Sequence, residues 1–97
     1  MRSIAKNRNY SPTVLPDGSW ILFDADTAST VVLTPPAGIY WELCDGVRTQ
    51  SAIVRTMCEL YPDQTIETIS TDIERMTAQL VDLDLLQVGA FLPAMEV

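Results

Sequence analysis

Residues 29–36 read STVVLTPP, a β-branched run that stops at two consecutive prolines. Val, Ile and Thr suit a pleated strand, and proline cannot donate to a ladder, so the run predicts one short strand that ends at Thr34. The residue before a proline is held extended, the geometry a helix N-cap needs, and proline is tolerated in a first helical turn. The same eight residues therefore predict a strand that turns directly into a helix.

The strand needs a partner. Trp20-Ile21-Leu22-Phe23 is a second apolar and aromatic run, and the small polar stretch ADTAS separates the two. That arrangement predicts an antiparallel hairpin, with Pro16-Asp17-Gly18 as a turn upstream and Val14-Leu15 as a marginal third strand. After the prolines, Ala37, Tyr40, Trp41 and Cys44 share one helical face, and Gly46 closes that helix. A second helix is capped by Thr49, presents Val54, Met57, Cys58 and Tyr61, and stops before Pro62. A third starts near Thr65 and carries Ile66, Ile69, Ile73, Met76, Leu80 and Leu83, with Gly89 and Pro93 bounding its end. A lone hairpin is marginal in water, so it must pack on the helices. The expected fold is α+β: a hairpin or three-stranded sheet on three helices.

Ninety-seven residues fit one domain. We expect residues 1–11 to form a flexible basic arm, 12–90 the domain and 91–97 a weakly specified tail. Net charge is −7, but Arg2, Lys6 and Arg8 sit in the arm. Beyond it only Arg48, Arg55 and Arg75 face all 13 acids, leaving −10. Such a body repels a phosphate backbone, so no nucleic-acid partner is expected. The N-terminus lacks the apolar core of a signal peptide and no run is long enough to span a bilayer, so we expect a cytoplasmic protein without a membrane role.

Catalytic equipment is sparse. The chain has no histidine, which removes Ser-His-Asp and Cys-His chemistry and the usual zinc sets. Cys44 and Cys58 fall in apolar helical patterns and read as packed thiols. Asp24 and Asp26 lie where the hairpin turns, and Asp82 and Asp84 would point about 200° apart on a helix. No enzyme activity, metal or cofactor is expected. What remains is the edge of Thr30 to Leu33, which lacks the lysine, internal proline or bulge that usually blunts a free strand. A second candidate surface is the third helix, where Met76 is an adaptable side chain and Asp72 and Gln79 flank the apolar stripe.

Leu33-Thr34-Pro35-Pro36-Ala37-Gly38, then IYWELCDGVRTQSAIV, then DIERMTAQLVDLDLL resemble the PqqD-like family of RiPP recognition elements. Trp41, Leu43, Asp45-Gly46, Thr49, Ile53-Val54, Asp72-Ile73, Met76, Leu80 and Leu85-Leu86 match in order. Asp84 stands where that family usually has glycine, and Met76 replaces its common leucine. The resemblance implies a winged helix-turn-helix-like domain that binds the leader segment of a ribosomally made precursor peptide. It would present the leader to a modifying enzyme, such as a radical SAM enzyme, a cyclase or a leader peptidase, in a lasso-peptide or PQQ-type pathway. It implicates Thr30, Val31, Val32 and Leu33 in pairing with the peptide, and Asp72, Met76, Gln79 and Leu80 in contacting its side chains. Affinity on the order of 0.1–10 μM is expected, because a disordered leader must be ordered on binding. Two readings compete: a winged-helix DNA regulator, disfavoured because Arg75 is the only cation between Thr65 and Leu86, and an assembly subunit that forms a homodimer edge to edge.

Overall fold

The computed structural model describes residues 3–89. Elements follow in the order β1 (Ser3–Lys6), β2 (Tyr10–Val14), β3 (Trp20–Asp24), β4 (Ser29–Leu33), α1 (Pro35–Leu43), α2 (Gln50–Leu60), α3 (Ile66–Asp82) and β5 (Leu86–Gly89). They make an α+β fold with two antiparallel sheets, one ordered β2-β3-β4 and one pairing β1 with β5.

The expected hairpin forms with Trp20 opposite Leu33 and Asp24 opposite Ser29. At its tip the Asp24 carboxylate accepts the Asp26 N–H, and Ala28 takes the left-handed conformation that reverses the chain. Asp24 and Asp26 thus build a turn. The marginal third strand is real but lies earlier than expected, at Tyr10–Val14, and holds Pro12. Proline fits there because β2 is an edge strand, with one side unpaired among the described residues.

All three helices start where expected. Thr34 precedes α1 in extended geometry, with both prolines in the first turn and no side-chain cap. Thr49 and Thr65 cap α2 and α3 by accepting the N–H groups of Ala52 and Thr68. Their faces are rotated from the pattern in two places. On α2 the deepest side chains are Ile53 and Met57, while Val54 and Cys58 are half-buried. On α3, Ile69, Ile73 and Leu80 reach the core, but Ile66 and Leu83 are more than half exposed.

The core joins Leu22 and Leu33 from the larger sheet to Tyr40, Trp41 and Cys44 of α1 and its cap, then to α2, α3, Leu85 and Leu86. Trp41 donates its indole N–H to the Leu85 carbonyl at 2.8 Å, tying α1 to the segment after α3. Thr77 donates its hydroxyl hydrogen to the Ile73 carbonyl, so Tyr40 is the donor in its bond to Thr77. That bond fixes α1 against α3.

Two expectations are corrected. The third helix does not run on toward Gly89: it ends at Asp82, with Leu83 as its cap. Asp84 is left-handed, φ 61°, and the N–H groups of Asp84 and Leu85 return to the carbonyls of Val81 and Leu80. This is a Schellman close with aspartate at the position glycine usually fills. It releases Leu85 and Leu86 into the core and starts β5. Asp82 and Asp84 are therefore not on one helix.

Nor is the basic segment a loose arm from Ser3 onward. β1 pairs with β5, and Lys6 donates its N–H to the Cys44 carbonyl while Gly46 donates to the carbonyl of Ile4. Lys6 also pairs with Glu42 at 2.8 Å and lies over the Trp41 ring. The register sets Ile4 opposite Val88, and the two strands lie too far apart in sequence for local pattern to connect them. The tail expected at 91–97 lies outside the described residues.

Candidate functional site

β4 is the last strand of its sheet. Its inner edge pairs with β3, and among the described residues no strand covers its outer edge. The backbone groups of that edge are spaced to pair with another extended chain. β2 occupies the far side of β3, so the protein's own first segment does not fill the open flank.

Alternation along β4 divides its side chains between two faces. Val31 and Leu33 turn toward the helices, and Thr30 and Val32 turn away, Val32 being 64% exposed. α3 runs beside this edge. Between them lies an open groove of about 470 Å³, walled by Val31, Val32 and Leu33 on one side and by Met76, Gln79, Leu80 and Leu83 on the other. Thr34, Ala37 and Asp82 complete its lining.

Six of the eight residues implicated by sequence, Val31, Val32, Leu33, Met76, Gln79 and Leu80, thus line one groove. Thr30 lies on the same strand but outside the lining, and Asp72 lines the adjoining cavity instead. Asp72 also forms an ion pair with Arg75, one turn along α3. Leu83 escaped notice as a site residue because its helical position assigned it to the core stripe. Its 51% exposure follows from the helix ending beside it.

The groove's lining is mostly apolar, with Asp82 as its one charged residue. The described residues contain no group of histidine, cysteine, aspartate or glutamate side chains disposed to hold a metal ion. Cys44 and Cys58 are both free. Burial pushes the Cys44 thiol up to about 11, so it is protonated at neutral pH and unsuited to nucleophilic work. Among the described residues no helix is long and apolar enough to cross a membrane.

Sheet, edge and helix define the class: a small winged-helix-like α+β module that, among the described residues, sets an open strand edge beside an amphipathic helix. The chain belongs to the PqqD family: the family described as "Coenzyme PQQ synthesis protein D (PqqD)" matches residues 19–86, from the turn before β3 to the start of β5. Among solved structures, the one titled "TbiB1 in Complex with the TbiA(beta) Leader Peptide" has the same fold. It superposes with a TM-score of 0.72 at 17% identity, over 92% of this chain and 99% of that one. No curated protein matches the sequence.

Proposed function

We propose that this protein binds the leader segment of a ribosomally synthesised precursor peptide as an added strand along β4. It then presents the peptide to a modifying enzyme, such as a radical SAM enzyme, a cyclase or a leader peptidase, and performs no chemistry itself. The observation that carries this reading is the edge of β4, unpaired among the described residues, alongside the apolar groove against α3. Strand addition obtains affinity from main-chain hydrogen bonds and selectivity from the pockets that receive alternate side chains. The family match supports the reading, as does a structural neighbour of the same fold described in complex with a leader peptide. Thr30, Val31, Val32 and Leu33 would supply the pairing strand, and Asp72, Met76, Gln79 and Leu80 the helical wall.

A titration tests this. The probes are synthetic candidate leader peptides, and binding is followed through the protein's backbone amide shifts; the peptide that binds is carried into the experiments below. Shifts should concentrate on residues 29–34 and 72–83, with a dissociation constant on the order of 0.1–10 μM. Shifts confined to α2 would overturn the groove. A concentration-dependent dimer that dissociates only when the edge is mutated would favour self-pairing instead. DNA binding draws no support from α3, whose one arginine is already paired with Asp72.

A further inference from the structure

Past Thr34 the open edge stops offering donors, because neither Pro35 nor Pro36 has an N–H. A chain paired along β4 toward that end must leave the sheet there. The point of departure opens on a second cavity, of about 270 Å³, where the start of α1, the end of α2 and the first half of α3 meet. Thr34 and Met76 line both this cavity and the β4–α3 groove, so the two adjoin. Its floor is apolar: Met57 and Tyr61 from α2 and its cap, Ile69, Ile73 and Met76 from α3. At its mouth Asp72 and Arg75 neutralise each other, so a charged guest gains no uncompensated partner. The volume is below that of clefts for drug-sized ligands and suits one side chain. Two methionine walls let it adapt to aromatic or branched shapes.

We propose that this cavity is a second subsite, which takes one large uncharged apolar side chain from a peptide residue just beyond the segment paired with β4. The inference rests on the peptide-binding reading above and adds what that reading lacks, a determinant of register. Backbone pairing alone tolerates a slip of two residues, because such a slip returns the same side chains to the same face. A side chain seated beyond the prolines fixes which residues pair.

The test uses the full chain with methyl-labelled methionine and the same synthetic leader. Met76 lines both compartments, whereas Met57 is buried and lines only the second. Binding should shift the β4 amides, Met76 and Met57 together, with cross-relaxation between the Met57 methyl and a single peptide side chain. Alanine at that peptide position should weaken binding roughly ten- to a hundredfold. It should also return Met57 to its free position while the β4 amides still shift at saturation. Movement of the β4 amides and Met76 with Met57 unchanged would overturn the subsite and leave strand addition standing. If neither the β4 amides nor either methyl moves, the peptide-binding reading fails and takes the subsite with it.

Discussion

Gly38 sits in α1 with the Trp20 ring pressed against its backbone. A Cβ built there would meet ring carbons between 2.2 and 2.6 Å away, well inside contact distance. The absence of a side chain at Gly38 is therefore what lets α1 lie on β3. Gly38→Ala should cost about 1–3 kcal/mol despite alanine's better helix propensity, because the rigid indole has to move. Urea denaturation followed by tryptophan fluorescence measures this, and an unchanged or raised midpoint would refute it. Cys44 gives a second prediction at this scale. Its thiol titrates near 9 when exposed and near 11 in the fold, raised first by burial, and burial raises Tyr40 in the same direction. The folded state thus keeps a proton that the unfolded chain releases. Its contribution, on the order of 2 kcal/mol for Cys44, is complete below about pH 9 and is lost as pH climbs toward 11. Cys44→Ala should flatten that alkaline decline, as thermal melts across pH 8–11 would show.

At the scale of the element, β4 and α3 make the groove jointly, and each contributes side chains that stability does not require. Leu83 is half exposed at the end of α3 yet walls the groove. Leu83→Gln should weaken the leader peptide about tenfold while moving the urea midpoint by no more than about 0.5 kcal/mol, and calorimetry with parallel denaturation separates the two. Equal losses in both would make Leu83 a structural residue. This division explains what the sequence made legible. STVVLTPP showed both β4 and the start of α1, because proline chemistry is local, and Thr49 and Thr65 marked their helices for the same reason. The α3 stripe placed Met76 and Leu80 beside one another without revealing which members face the core and which the groove. Ile66 and Leu83 have the same spacing as Ile69 and Leu80, and only the neighbouring elements distinguish them. The end of α3 was hidden because aspartate, not glycine, holds the left-handed position at residue 84.

For the molecule as a whole, the pairing of β1 with β5 brings the two ends of the described chain together, Ser3 opposite Gly89. Four-residue strands such as SIAK and LQVG carry too little alternation to announce a sheet. The segment is also tied to the positions that α1 and α3 give Cys44 and Leu85, since Lys6 and Asn7 donate their N–H groups to those two carbonyls. The segment that reads as a basic arm thus acts as a clasp over the side of the core away from the groove. Lys6 bridges to Glu42 and covers Trp41, and Ile4 packs against the buried cluster. Deleting residues 1–6 should then remove about 2–4 kcal/mol, from the lost apolar burial and the stranded backbone acceptors at Cys44 and β5. That is a large share of what a domain of this size has. The groove is built from β4 and α3, so the leader's affinity, measured at low temperature where the shortened chain is still folded, should change less than threefold. A free arm predicts the opposite on the first measurement: deletion with no shift in the denaturation midpoint. If instead affinity falls with stability still intact, the N-terminal strand belongs to the binding surface, and the division of the molecule into clasp and groove is wrong.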